Sequence, residues 1–132
     1  MKKIEKYGLI ITRDNKFLIG RKKGTKLFIL PGGKPELKET AEECLEREIK
    51  EEHDCEIKKS SLKFLGVFED SAANEQDTII SVKLYLGDII GEPRCCSEIE
   101  EIRWFGKEDD KSILSPVLKN EILPELVRRV II

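Results

Sequence analysis

The sequence predicts an α/β fold: a central mixed β-sheet covered on both faces by helices, an α/β/α sandwich. Three observations lead there. Short strand-like segments lie both before and after one long helical run, Thr40 to His53. A second helical stretch with an apolar stripe closes the chain after Pro116. The 132 residues suit one domain with one core, and no repeat, linker or shift in composition divides residues 1–132.

Taken in order, Tyr7–Thr12 (YGLIIT) and Lys16–Gly20 (KFLIG) flank Asp14-Asn15, a turn signal, and are expected to pair as a β-hairpin. Arg21, Lys22, Lys23 and Lys26 follow around Gly24. They could meet phosphates, although a solvated loop is the simpler expectation. Leu27–Leu30 reads as a short apolar strand that enters the turn Pro31-Gly32-Gly33. Glycines in such a turn let backbone approach a ligand closely.

Thr40 to His53 contains neither Pro nor Gly and is rich in good helix formers. Ala41, Leu45 and Ile49 recur every four residues, a narrow stripe that can face a core. Asp54 stands just past the helix end, where a left-handed conformation is expected and a non-glycine residue costs about 1 kcal/mol. Cys55 can act there as a small buried hydrophobe.

Beyond the helix, Ser60-Ser61 interrupts the pattern and Leu62–Phe68 reads as a strand. Glu69–Asp77, with Ser71-Ala72-Ala73-Asn74 inside it, is a polar loop. Thr78–Leu86 alternates most cleanly, Gly87–Ser97 is a loop, and Glu98–Phe105 leads through the final strand, with Trp104 and Phe105 expected in the core. Pro116–Ile132 is the closing helix, its stripe formed by Val117, Leu118, Ile122, Leu126 and Val130, with Pro124 expected to kink or split it.

Composition excludes several classes of function. With 24 basic and 26 acidic residues the formal net charge is −2, which argues against general nucleic-acid binding. It does not argue against small anionic substrates, because bound cations invert the local sign. No apolar run is long enough to span a membrane and the N-terminus lacks the apolar core of a signal peptide, so a cytoplasmic location is expected. Cys44, Cys55, Cys95 and Cys96 have no zinc-ligand spacing and read as free thiols. His53, the sole histidine, reads as a surface residue without partners for nucleophilic catalysis.

The acids of the long helix carry the chemistry. Glu48, Glu51 and Glu52 occupy i, i+3 and i+4, neighbouring positions on one helix surface. Two charges there repel by about 3 kcal/mol at an effective dielectric near 20. Helical spacing lets Glu46 pair with Lys50, Glu43 with Arg47 and Arg47 with Glu51, but leaves Glu48 and Glu52 facing each other without a base. A solvated acidic face is the default reading of such a run. A hard divalent cation such as Mg²⁺ would resolve the repulsion, since it takes carboxylate oxygens and keeps several waters.

Gly33, Glu39, Arg47, Glu48, Ile49, Glu51 and Glu52 also fall in register on the template G-x5-E-x7-R-E-U-x-E-E-x-G-U, where U is aliphatic. On these residues the chain resembles the Nudix hydrolases, of MutT-like type, over Gly33 to Cys55, with Asp54 and Cys55 departing from the pattern. The resemblance implies the Nudix α/β/α fold and Mg²⁺-dependent (or Mn²⁺-dependent) cleavage of a diphosphate bond in a nucleotide joined to another group. It implies Glu48, Glu51 and Glu52 as metal ligands with the Gly32 carbonyl, Arg47 as orienter of the carboxylates, and Gly33 and Glu39 as motif support. The general base is a motif glutamate or a later loop acid, with Glu98 first and Glu100 and Glu101 as alternatives. Ser71 stands where relatives that act on ADP-ribose often have proline, and Ala72 and Ala73 offer no tyrosine of the dinucleoside polyphosphate type. A nucleoside triphosphate pyrophosphatase is therefore expected. ADP-ribose or another nucleotide sugar is the alternative substrate, and a non-catalytic nucleotide-binding module the alternative class. Homodimers are common among such proteins.

Overall fold

In a computed structural model, residues 1–72 and 75–132 are described; Ala73 and Asn74, on which part of the loop and substrate reading rests, lie outside them. The strands are β1 (Lys2–Ile10), β2 (Thr12–Arg13), β3 (Lys16–Lys22), β4 (Gly32–Gly33), β5 (Glu56–Ser71), β6 (Thr78–Ile90) and β7 (Ile99–Gly106); helix α1 (Ala41–His53) lies between β4 and β5. A mixed sheet runs β4-β1-β6-β5, with β1 parallel to β6, and a smaller antiparallel sheet runs β2-β3-β7.

Side chains that alternate along these strands fill two cores, one on each face. Leu9, Ile11 and Leu18 meet Leu45 and Ile49 of α1, together with Cys55 and Ile57. Ile10, Phe17, Ile19, Val82, Leu84 and Phe105 meet the closing helical segment through Leu118, Ile122 and Leu126 on the opposite face. Burial of each large side chain stabilises the fold by about 2 kcal/mol.

The Asp14-Asn15 turn is left-handed at both residues (φ 52° and 61°), the type I′ geometry that suits a two-residue hairpin. Its N-terminal arm is only Thr12–Arg13, because the chain changes sheets at Ile11, whose carbonyl accepts from the Leu18 N–H at 3.0 Å. Tyr7–Ile10 instead lies parallel to Lys83–Leu86 of β6. Leu27–Leu30 forms isolated bridges rather than a strand, Ile29 with Gly20 and Phe28 with Leu114. Ser60-Ser61 does not end a strand. It sits in a bulge of the longer β5, where the register shifts between Lys58 and Lys63 and the Ser61 hydroxyl accepts from the Asp88 N–H at 2.8 Å. Gly87–Ile90 continues β6, so the loop begins at Gly91.

Pro124 acts one turn before its own position. Leu118–Ile122 form a π turn, in which the Leu123 N–H reaches back to the Leu118 carbonyl, and α2 (Leu123–Arg128) continues beyond it. The wider turn accommodates the residue that cannot donate. Val130 is left-handed (φ 57°) and 82% exposed, so it leaves the predicted stripe, and Ile132 packs into the core in its place. Phe105 is buried as expected, whereas Trp104 is half-buried with the Arg13 guanidinium 4.5 Å from its ring centre.

Candidate active site around the glycine turn and the acidic helix

Helix α1 starts where its sequence signals it should. Thr40 caps it, its hydroxyl accepting from the Glu43 N–H at 3.1 Å while the Glu43 carboxylate accepts from the Thr40 N–H at 2.9 Å. Glu43 is thereby committed to the cap rather than to Arg47, and Glu46 pairs with Lys59 at 3.3 Å rather than with Lys50, which turns to Asp54. Cys44, Leu45 and Ile49 fix the buried face and so determine which acids point away from solvent.

The glycine turn is held against this helix by β1. Tyr7 pairs with Gly33 and Gly8 with Gly32, and the Leu9 N–H donates to the Pro31 carbonyl at 2.9 Å. Gly32 has φ 135°, and a Cβ there would lie 2.1 Å from the Tyr7 carbonyl oxygen, so no other residue fits. A Cβ on Gly33 would lie 2.7 Å from the carboxylate carbon of Glu48. Glu48 therefore rests directly on the Gly33 backbone, and Glu52 accepts from the Gly32 N–H at 3.1 Å.

Glu52 is buried, 7% exposed, and burial pushes its pKa up to about 7 despite the Gly32 hydrogen bond; Glu48 adds to the rise, and Lys22 and Lys6 oppose it. The Glu48 pKa is also raised by burial, against the pull of Arg47. Desolvation drives both rises, and Glu48 keeps its ion pair with Arg47.

Arg47 organises the loop before the helix. Its Nε and Nη2 donate to both oxygens of Glu39 at 2.8 and 2.9 Å, Nη1 donates to Glu48 at 2.8 Å, and Nη2 also donates to the Lys34 carbonyl at 3.1 Å. This grip holds the Glu39 pKa down at about 2 and raises that of Arg47. Glu51, 54% exposed at its side chain, leans on Arg47 at 3.5 Å. Among the described residues no three acidic, histidine or cysteine side chains stand as a preformed metal cluster; Glu48 and Glu51 share Nη1 of Arg47 instead. The donors nevertheless suit a hard cation. Two desolvated carboxylates, buried Glu52 and Arg47-paired Glu48, lie against a backbone turn, and Glu51 rests on the same guanidinium as Glu48.

The loop acids separate by their partners. Glu100 pairs with Arg21 at 2.8 Å, and Glu101 is shared between Arg21 and Arg103, which lowers its pKa. Glu98 is 75% exposed at its side chain, with Lys22 at 3.8 Å. Its loop is anchored to the end of α1, where the Arg94 N–H donates to the His53 carbonyl and the Cys96 N–H to that of Glu52, both at 3.0 Å.

His53 is not on the surface. It is 1% exposed, its Nδ1 bonds the Arg94 carbonyl at 2.9 Å, its Nε2 has no partner among the described residues, and burial lowers its pKa. The anchored loop covers it, an effect of tertiary structure that helical spacing does not encode. Asp54 is left-handed as expected (φ 54°), and Cys55 is buried.

A cavity of about 880 Å³ opens beside the glycine turn. Gly32, Gly33, Lys6, Lys22, Lys26 and Lys34 line it, together with Val82, Leu118 and Ile122 as apolar wall and Ser115 and Glu75 as further polar groups. Lys22, half-buried, and Lys26, exposed, lie on its wall, while Lys23 is exposed as expected of a solvated loop. Sequence reasoning did not single out Lys6, Lys34 or Ser115 as site residues. The signal for Lys6 was present in Ile4-x-Lys6-x-Gly8-x-Ile10, a lysine in an otherwise apolar alternating row. No described helix is long and apolar enough to cross a membrane.

Comparison with known proteins bears on the family and the fold. An ADP-ribose pyrophosphatase of Methanocaldococcus jannaschii is 37% identical over 99 residues, 73% of this chain, and the match spans only 57% of that relative's length. The crystal structure of a MutT NUDIX hydrolase from Burkholderia pseudomallei superposes with a TM-score of 0.70 at 27% identity, over 83% of this chain and 88% of that one. The MutT protein of Methanosarcina mazei, 17% identical, shares the fold with a TM-score of 0.75 over 98% and 96% of the two chains. The model of the NUDIX domain matches residues 3–124, nearly the whole chain, and the protein therefore belongs to the NUDIX family.

Proposed function

We propose that this protein is a pyrophosphohydrolase that cleaves a diphosphate linkage in a nucleotide with the help of Mg²⁺, and that its substrate is a nucleoside triphosphate. The observation that carries this reading is the placement of two carboxylates whose pKa values are raised by desolvation, buried Glu52 and half-buried Glu48, against the Gly32-Gly33 backbone beside a lysine-lined cavity. Glu48, Glu52 and the Gly32 carbonyl would hold the cation, with Glu51 joining by turning from Arg47. When bound, it would neutralise phosphate charge and lower the pKa of a water.

The chain's own residues supply the rest. Arg47 keeps Glu48 oriented and ties down the loop through Glu39. Glu98 serves best as the loop base, since Glu100 and Glu101 are held by arginines. The apolar part of the cavity takes the nucleoside and keeps water from it. A cytoplasmic location and a homodimeric assembly go with the same reading.

The similarity to an ADP-ribose pyrophosphatase favours a second reading, in which ADP-ribose is the substrate. A panel of nucleoside triphosphates, ADP-ribose and nucleotide sugars, incubated with Mg²⁺ and assayed for diphosphate and monophosphate release, tests both. Turnover of triphosphates at the highest kcat/KM supports the first reading, and preference for ADP-ribose replaces it with the second. Ligand binding without turnover of any member would make the protein a binding module.

A further inference from the structure

On β1, Tyr7, Leu9 and Ile11 pack toward α1, so the opposite row is Ile4, Lys6, Gly8 and Ile10. Ile4, Lys6 and Gly8 of that row line the cavity. Lys6 is thus a half-buried cation on an inward-facing apolar row, a position lysine seldom takes without a partner. It makes no ion pair within 4.0 Å among the described residues, and its pKa is lowered by burial and by the charges of Lys22 and Lys34.

The crowding has a geometric cause. Tyr7 pairs with Gly33, and the same register carried one residue further sets Lys34 beside Lys6. Like charges opposed across strands destabilise a sheet. Lys22 from β3, whose charge reaches Lys6, and Lys26 from the following loop line the same cavity. Four cations from four segments therefore converge next to the glycine turn, and the sole acid paired with any of them is Glu98, 3.8 Å from Lys22, among the described residues. Glu48 and Glu52 act on Lys6 from the metal side of the turn. The fold alone would be better served by an apolar residue at position 6, so the arrangement calls for a polyanion.

We propose that Lys6 binds a phosphate oxygen of the substrate and, with Lys22, Lys26 and Lys34, selects a chain of three phosphates over a chain of two. The inference rests on the hydrolase reading and deepens it. A nucleoside triphosphate can present charge to all four lysines, while a ligand such as ADP-ribose has a neutral sugar where the third phosphate would lie.

The test compares the parent with Lys6→Met, Lys6→Gln and Lys6→Arg. In the first arm, binding of inorganic tripolyphosphate and of inorganic diphosphate is measured by calorimetry without divalent metal. The parent binds tripolyphosphate at least tenfold more tightly than diphosphate. Lys6→Met and Lys6→Gln lose that preference, and Lys6→Arg stays within threefold of the parent. Unliganded Lys6→Met melts at or above the parent temperature, which separates lost binding from lost folding, and Lys6→Gln decides the matter should the methionine disturb packing. In the second arm, Lys6→Met raises KM for a nucleoside triphosphate at least tenfold with kcat changed less than threefold, and raises KM for ADP-ribose far less. Unchanged tripolyphosphate affinity in both neutral variants, or equal increases in the two KM values, overturns the proposal. A parent that turns over no nucleotide overturns the hydrolase reading instead, and the tripolyphosphate arm still decides the role of Lys6.

Discussion

The two ends of α1 obey opposite rules. At the N-terminal end Thr40 and Glu43 cap each other, and Glu42 and Glu43 sit exposed near the positive pole of the helix. At the C-terminal end, Glu52 is buried with a raised pKa, His53 is buried with an unpartnered nitrogen, and Asp54 is left-handed. The backbone is capped at both ends, but the buried titratable side chains, Glu52 and His53, are concentrated at the C-terminal end. Such a division fits a site whose charges are completed by a ligand rather than by the fold.

The substitution Glu52→Gln breaks the contrast most sharply. It keeps an oxygen for the Gly32 N–H while removing the charge, and Mg²⁺-dependent turnover is expected to fall by roughly a thousandfold, as for loss of a metal-ligating carboxylate. Steady-state assays that find activity within tenfold of the parent would remove Glu52 from the metal site.

The same variant should be more stable than the parent without metal. The folded-state pKa of Glu52, about 7, lies above its ordinary value of 4.5, so the folded protein holds this proton more tightly. The contribution is fully present below pH 4.5 and is lost as pH rises through 7. The loss approaches about 3 kcal/mol as an upper bound. Urea unfolding in chelator should therefore show parent and Glu52→Gln nearly equal at pH 4 and the variant ahead at pH 8. Added Mg²⁺ should narrow the gap by stabilising the parent alone.

Smaller effects test the well-made end and the last residue. Thr40→Ala removes the reciprocal cap and should lower stability by about 1 kcal/mol, read as a drop in melting temperature with kcat unchanged. Asp54→Gly relieves the left-handed residue and should raise stability by up to about 1 kcal/mol, reduced by loss of the exposed Lys50 pair. A lower melting temperature for Asp54→Gly would mean that the Lys50–Asp54 contact outweighs the backbone strain.

The legibility of the chain follows the same division. The start and end of α1, the Leu45 and Ile49 positions of its stripe and the turn at Asp14-Asn15 were readable because their signals lie within four residues of one another, whereas Ala41 is only half-buried and Cys44 joins the buried face instead. The buried state of His53 was not, because the loop that covers it arrives from Arg94 and Cys96, some forty residues on. The sheet change at Ile11 was also hidden, since either sheet satisfies the same alternation. The π turn at Leu118–Ile122 could be anticipated as a fault near Pro124 but not as a particular geometry.

From the sequence alone follow the glycine turn, the helix and the identity of three acids on one of its surfaces, because side-chain spacing on a helix is a matter of local geometry. Helical spacing anticipated the Arg47–Glu51 pair, but only the tertiary structure decided that Glu48 and Glu52 lie against the turn and that four lysines line one cavity. Desolvation and long-range charge depend on what other segments bring to a residue, and β1, placed between β4 and β6, brings Lys6 and the turn together.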